Sequence, residues 1–344
     1  MKKILNIILV GTLLMFTASD LFSSGSQSSS SGEFIKVGAT GCQFLKIGPG
    51  ARANGMGGAY TAIADDLSSV FWNPAGIADV RSLAAQFAYT QWFADFNHNF
   101  AAVSAPISDN FVVGVHLVSF GCNRIEITTM SRPEGTNNFY SVNDLALGAT
   151  FGGYLTDQFS FGVSARYIST GFADLSAGGF SFDIGTKYKT GLLGTTVGFA
   201  IQNFGTEMEY SGTDLNTKQK IVDELNSTYV ETSFLTSSFA IPLTFRAGIS
   251  SELYNDEGEH KIIGALDFIT LADSPELFIL GAEYTFKDLL SIRAGYCAGQ
   301  DQFGLSGGIG IKYNTGTFIG DFDYSISPTK DLGLVNRFTL GIRL

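Results

Sequence analysis

The stretch Phe159-Ser-Phe-Gly-Val-Ser-Ala-Arg-Tyr167 decides the fold. Phe159, Phe161, Val163, Ala165 and Tyr167 are apolar, and Ser160, Gly162, Ser164 and Arg166 between them are small or polar. Successive side chains of a strand point to opposite faces, so this pattern makes one oily and one polar face. The same period of two separates Phe180, Phe182, Ile184 and Tyr188 from Ser181, Asp183, Gly185 and Lys187. It returns at the end of the chain, where Phe338, Leu340, Ile342 and Leu344 alternate with Arg337, Thr339, Gly341 and Arg343. After residue 32 no uninterrupted apolar run approaches the ~18 residues of a membrane helix, so helical spans are excluded.

A soluble sandwich also alternates, and three features separate the two cases. The segments run to roughly 9–11 residues, the length of a tilted bilayer-crossing strand. Fourteen are predicted: 83–93, 97–106, 111–120, 144–154, 159–169, 180–188, 195–203, 242–252, 261–270, 277–286, 290–297, 305–313, 317–326 and 336–344. Aromatic residues recur at their ends: Phe111, Tyr154, Phe159, Tyr188, Phe286, Tyr313 and Phe318 at one rim, Trp92, Phe120, Phe172, Phe204, Tyr296 and Phe303 at the other. Such rings favour headgroup depth. Short polar turns (107–110, 155–158, 189–194, 287–289, 314–316) follow every second strand, while the long connections, 121–143 and 204–241, fall on the opposite side. The reading is all-β: a transmembrane antiparallel barrel of about 14 strands over 83–344, with outer-membrane lipid as its solvent.

Composition agrees. The 344 residues are 45% hydrophobic and only 15% charged, which excludes intrinsic disorder. The formal charge of −11 would repel a phosphate backbone, so no nucleic-acid partner is expected. Cys42, Cys122 and Cys297 are an odd number, so no complete disulfide framework exists; small buried thiols or one pair are the open readings. His98, His116 and His260 lack ligand spacing, and neither a metal nor a cofactor is predicted.

The predicted register turns Arg166, Lys187, Arg246, Arg293, Lys312, Arg337 and Arg343 inward, together with Asp183, Asp267, Glu283, Asp321 and Asp323. A one-residue slip would send these charges into lipid, at about 2–4 kcal/mol for each Arg or Lys at mid-depth. Near balance of signs suggests ion pairs across a wet lumen, either bracing the wall or forming a selectivity filter. Arginine is accordingly expected to be tolerated worse at Val163 than at Ser164. Strands 97–106 and 111–120 alternate less clearly, with Ala101, Val103, Val112 and Val118 read as apolar inward residues packed on something inside.

Before the barrel, Lys2, Lys3 and the apolar run 4–16 form a signal peptide, assigned to 1–24, and a Ser/Gly-rich linker covers 25–36. Residues 37–82 do not alternate and are too apolar to float free, so they are read as a plug. Gly48-x-Gly50-x-x-Ala53 loosely matches a dinucleotide fingerprint, but Pro49 and the lack of a βαβ unit argue against it. Three runs carry a resemblance: Phe44-Leu-Lys-Ile-Gly-Pro-Gly-Ala-Arg52-Ala-Asn-Gly-Met-Gly-Gly58, Ala64-Asp-Asp66 and Phe71-Trp-Asn-Pro-Ala-Gly76. Together they resemble the start of PorV/PorQ-family outer-membrane proteins, which are similar to the FadL-type transporter barrels with an Asn-Pro-Ala motif in an N-terminal hatch. The motif-level match covers about residues 37–106; beyond it the likeness is architectural.

The resemblance implies a hatch at 37–82 inside the barrel, with Arg52, Asn54, Asp65, Asp66, Trp72, Asn73 and Pro74 as hatch or ligand contacts. Their alternative roles are holding the hatch to the wall and touching a ligand directly. It further implies a non-enzymatic protein in the outer membrane of a Gram-negative bacterium, assisting protein export or surface attachment in a type IX-like pathway. Its partners would be exported proteins with C-terminal sorting domains or secretion components. The loop 204–241, with Glu207, Glu209, Asp214, Asp223, Glu224 and Glu231, is a docking candidate, and 216–226 is read as a short helix. The alternative is FadL-like uptake of a hydrophobic small molecule through an apolar pocket between hatch and wall, to which Val112, Val118, Phe44 and Phe71 would contribute. No Ser/His/Asp arrangement supports an enzyme.

Overall fold

The computed structural model describes residues 38–192, 194–220, 228–256 and 259–344; the expected signal peptide and linker lie outside them. Alternating strands with one oily face need lipid on one side and a filled interior on the other, and closure meets both demands. Fourteen antiparallel strands form the ring: β1 (Ala84–Gln91), β2 (Asn97–Pro106), β3 (Phe111–Glu126), β4 (Phe139–Tyr154), β5 (Phe159–Phe172), β6 (Leu175–Lys189) and β7 (Thr196–Gly205). The second half is β8 (Thr244–Asn255), β9 (His260–Leu271), β10 (Ser274–Phe286), β11 (Leu290–Ala298), β12 (Leu305–Asn314), β13 (Ile319–Pro328) and β14 (Leu334–Arg343). Each strand pairs with its sequence neighbours, and β14 returns to β1 with Ala84 opposite Arg343 and Gln91 opposite Asn336. Closure leaves no unpaired edge in the hydrocarbon layer.

The register read from the alternation is the one adopted. Val163 on β5 is 39% exposed on the outer face, beside Phe182 and Ile184 of β6. Ser164 is completely enclosed, its hydroxyl 2.7 Å from that of Thr150. That enclosure adds a cost at Ser164 too: an arginine there would be overpacked, because no space surrounds this side chain.

Other differences also have physical causes. β3, β4, β5 and β6 span 16, 16, 14 and 15 residues, longer than read, because pairing continues past the apolar pattern to Glu126–Phe139 and Phe172–Leu175. Ala101 and Val103 point outward; Phe100 and Ala102 are the buried residues, since β2 is apolar on both faces and alternation is silent there. Val112 and Val118 are buried as expected. Tyr154 leaves the expected rim and turns inward, its hydroxyl donating to Asp79. Trp92, Phe120 and Phe303 line an interior cavity instead of a lipid girdle, whereas Phe172, Phe204 and Tyr296 do face outward. Residues 216–220 are a strand, paired with Tyr229–Ser233, and not a helix. The rest of the expected helix, with Asp223 and Glu224, lies outside the described residues.

The connections divide the barrel into a turn end (107–110, 155–158, 190–195, 256–259, 287–289, 315–318) and a loop end. The loop end carries the long links 127–138 and 206–243, but also two-residue links at 173–174 and 272–273.

Candidate functional site

The segment 38–82 lies against the inner faces of strands all round the ring. Small side chains and glycines make this approach possible. A Cβ on Gly185 of β6 would sit 2.0 Å from Asn73 Oδ1, and one on Gly295 of β11 would sit 2.1 Å from the Gly57 nitrogen. Only glycine leaves room there for a second backbone.

Each residue picked out in this segment has a definite place. Asn54 Nδ2 donates to the Gly48 and Gly50 carbonyls (2.8 and 2.7 Å), pinning the Gly-Pro-Gly turn. Trp72 Nε1 donates to the Pro49 carbonyl at 2.9 Å. Asn73 Oδ1 accepts from the Ala75 N–H (3.1 Å) and so caps the short 3-10 turn Pro74–Asp79, which Pro74 opens with a preset φ. The Asn73 amide donates to Thr61 on the same segment (2.8 Å) and to Thr186 of the wall (3.1 Å). Pro74 packs on Gly162. Asp66 accepts from Tyr60 Oη (2.9 Å) and from the backbone and hydroxyl of Ser68 (2.9 and 2.6 Å).

Arg52 is the main charged tie. Its Nε and Nη2 reach the two oxygens of Glu283 at 2.9 Å each, and Nη1 pairs with Asp65 and meets Tyr60 Oη at 3.1 Å. Burial alone would raise the Asp65 carboxyl, but the Arg52 guanidinium outweighs it and holds the group below the ordinary carboxylate range. Asp79 behaves likewise: Lys187 Nζ at 2.8 Å overcomes the cost of burial.

The inward charges of the wall that form ion pairs do so with the adjacent strand, the next strand but one or the internal segment, and not across a wet lumen. Arg166 pairs with Asp183 and also meets Asn203 Oδ1 at 2.8 Å. Arg293 reaches Glu283 (2.5 Å) and Asp323 (2.6 Å). Asp267 Oδ2 accepts from the Tyr60 and Thr61 N–H groups (3.0 and 2.9 Å), so it holds the segment through its backbone. Asp321 lies over Gly341 of β14. Arg246 differs: it donates to Gln202 Oε1 at 2.7 Å and has no carboxylate within 4.0 Å among the described residues.

At the loop end a cavity of about 620 Å³ opens above the segment. Phe44, Gly48, Asn54 and Trp72 contribute its floor, and Ile269, Leu271, Leu277, Ile279, Phe120, Trp92 and Phe303 much of its wall. Of the residues singled out in the sequence, Phe44, Asn54, Trp72, Trp92, Phe120, Arg246, Phe303 and Arg337 line it; Val112 and Val118, expected to contribute to such a pocket, do not, and the remaining candidates lie elsewhere in the segment and wall. Phe71 is buried and does not line it. Sequence reasoning missed Gln202, Trp92, Phe303 and the Lys46–Asp273 pair (2.5 Å) as parts of one site. A second, polar cavity of about 300 Å³ holds Asp65, Asp79, Lys187, Lys189 and Arg343. The three cysteines are free and buried, and burial pushes the Cys42 thiol up to about 12. No group of three or more metal-ligating side chains occurs among the described residues.

Comparison with known proteins places this geometry. Residues 30–222, more than half of the chain, match the family model described as type IX secretion system protein PorV. No curated protein matches the sequence. Among solved structures the chain is similar to the CymD monoaromatic hydrocarbon channel (TM-score 0.58, 13% identity, 86% of this chain and 96% of that one). It is likewise similar to the Ralstonia pickettii toluene transporter TbuX (0.55, 14%, 86% and 97%) and the P. putida toluene transporter TodX (0.54, 11%, 86% and 96%). At these identities the likeness is one of fold, that of FadL-type outer-membrane barrels.

Proposed function

We propose that this chain, which belongs to the PorV family of type IX secretion system proteins, assists protein export or surface attachment without being an enzyme. Its family and fold are those of outer-membrane channels and transporters. In this reading it sits in the outer membrane of a Gram-negative bacterium, residues 38–82 act as a hatch, and the loop end faces outward. One observation carries the reading beyond the family: the interior is occupied. Arg52–Glu283, Asn73–Thr186 and Lys187–Asp79 tie the segment to the wall, which supports docking of a partner over conduction of a polypeptide. The link 206–243 is the longest connection between barrel strands and is the docking candidate, anchored where Met208 and Phe239 exchange backbone hydrogen bonds (2.9 and 2.8 Å). Partners would be exported proteins with C-terminal sorting domains or components of the secretion machinery.

The test replaces 211–236 by a short Gly-Ser turn, retaining the Met208–Phe239 bridge. The barrel should keep its heat-modifiable electrophoretic mobility while capture of exported proteins from cells falls. Recovery of the same proteins with and without the loop rejects this docking surface.

A second reading, uptake of a hydrophobic small molecule, is favoured by the cavity of about 620 Å³, within the usual size of ligand sites. Slower growth of a deletion strain on a hydrophobic carbon source, restored by the gene, would support it; unchanged growth and uptake would reject it.

A further inference from the structure

Residues 229–235 of the long loop-end link read Tyr-Val-Glu-Thr-Ser-Phe-Leu, a β-prone run of branched and aromatic side chains. Its first five residues, Tyr229–Ser233, pair with Asn216–Lys220 as a two-stranded antiparallel sheet separate from the barrel, so among the described residues both outer edges lack a neighbouring strand. Two strands alone are marginal in water, and a third strand or a packed face completes them. The base of this hairpin is held. Ser211 and Gly212 pair with Ser176 and Leu175 of β6, and Thr236 Oγ1 donates to the Tyr210 carbonyl at 2.8 Å, just above the Met208–Phe239 bridge. The strands themselves stand in solvent: only Thr217 and Thr232 are half-buried, and the other eight residues are exposed.

The two edges differ. Asn216–Lys220 carries Lys218 and Lys220, and lysine is a common guard against edge pairing. Residues 229–235 contain no lysine, proline or glycine, and Tyr229, Val230, Phe234 and Leu235 are 61, 42, 59 and 99% exposed. The backbone fixes which groups are free. The Phe234 N–H donates to the Leu215 carbonyl at 2.9 Å, which makes these two a hydrogen-bonded pair. Pairs alternate along an antiparallel ladder, so Val230 and Thr232 bond inward to Gln219 and Thr217, while Tyr229, Glu231 and Ser233 turn N–H and C=O to the open edge. Resting on the docking reading, we infer that this edge holds the partner by strand addition: an extended segment of the exported protein pairs with Tyr229–Ser233. Val230, Thr232 and Phe234 on one face favour β-branched or aromatic residues beside them, and Glu231 on the other favours a lysine or arginine. The link 206–243 holds six acids against two lysines, both of them on the guarded strand. A second copy of this chain would bring the same acidic link against it, whereas a basic strand complements it.

Proline tests this backbone contact while sparing the hairpin's own bonds. Ser233→Pro removes an N–H that points to the open edge, where a strand tolerates proline, and Ser233→Ala keeps it. Full-length protein in phosphatidylcholine nanodiscs is titrated with one purified exported protein carrying its C-terminal sorting domain. Ser233→Pro should weaken binding about tenfold, the loss expected when a partner carbonyl is left without its donor, and Ser233→Ala should leave it unchanged. Amide exchange resolved by residue is the second measurement. On binding, Tyr229, Glu231 and Ser233 should slow, while Val230 and Thr232, already bonded, should change little. It uses the wild-type chain alone, so it decides even where the proline disturbs the hairpin. Equal affinities of the two variants, or no slowing at 229, 231 and 233, overturns the inference. If the chain lacking 211–236 then fails to bind, the docking reading stands without the added strand; if it binds like the wild type, or if nothing binds, both fall. Self-association that is lost in Ser233→Pro would put a second copy on the edge and overturn the assignment to an exported partner.

Discussion

Neutralising Glu283 should loosen the internal segment while leaving the barrel intact. Glu283 is shared: Arg52 of the segment holds both its oxygens at 2.9 Å, and Arg293 of β11 reaches one of them at 2.5 Å. Removing one member of a buried pair costs about 3–5 kcal/mol when the other is left alone. Here Arg52 keeps Asp65 and Arg293 keeps Asp323 at 2.6 Å, so the loss in Glu283→Gln is nearer that of hydrogen bonds to a charged group, about 1.5–3 kcal/mol. If local opening controls exchange, the backbone amides of residues 51–66 should exchange about 10- to 100-fold faster. The assay is hydrogen exchange by mass spectrometry on protein in nanodiscs, with peptides of β5 and β6 as the internal reference. A double-mutant cycle with Arg52→Gln should show coupling, since both changes remove the same contact. Unchanged exchange over 51–66 would refute the view that this ion pair holds the segment. A uniform rise over segment and wall together would refute the separation of the two.

Gly295→Val should prevent the segment from docking, because a Cβ there would lie 2.1 Å from the Gly57 nitrogen; the segment should become trypsin-sensitive after Arg52, and continued protection would disprove the close approach. Val163→Arg should lower barrel stability by about 2–4 kcal/mol if it is near mid-membrane, while Val163→Leu should be neutral; urea titration in lipid vesicles distinguishes them. Acid should release residues 40–46. Burial alone would raise the Asp273 carboxyl, but Lys46, Thr40 and Gln43 outweigh it and bring it down to about 2. A depressed folded value means the contact stabilises fully above the unfolded value near 4 and is lost as pH falls through about 2. Proteolysis after Lys46 across that window should rise in the native protein, and Asp273→Asn should remove the pH dependence.

How much was legible follows from what alternation encodes. In β5 and β14 the period of two identified lipid and interior faces residue by residue, because a lipid-exposed charge is too costly to permit another register. Where the inner face is itself apolar, as at Phe100 and Ala102 of β2, the same rule carried no information and Ala101 and Val103 were misassigned. Trp92, Phe120 and Phe303 were misread for a related reason: a ring at a strand end satisfies either a headgroup layer or a cavity wall, and only position decides.

The one-dimensional sequence thus determined that the polypeptide forms an all-β barrel with about the right number of strands, which end bears the long links, and which charges face inward. It did so because membrane solvation acts on every second side chain independently of its distant neighbours. Only the tertiary structure decided which of those charges find a counter-charge. Arg293 and Arg246 look alike in sequence; cross-strand register sets Glu283 opposite one and Ile269 opposite the other. Whether a buried cation finds a counter-charge depends on pairing across strands and on the segment beneath them, and local periodicity encodes neither.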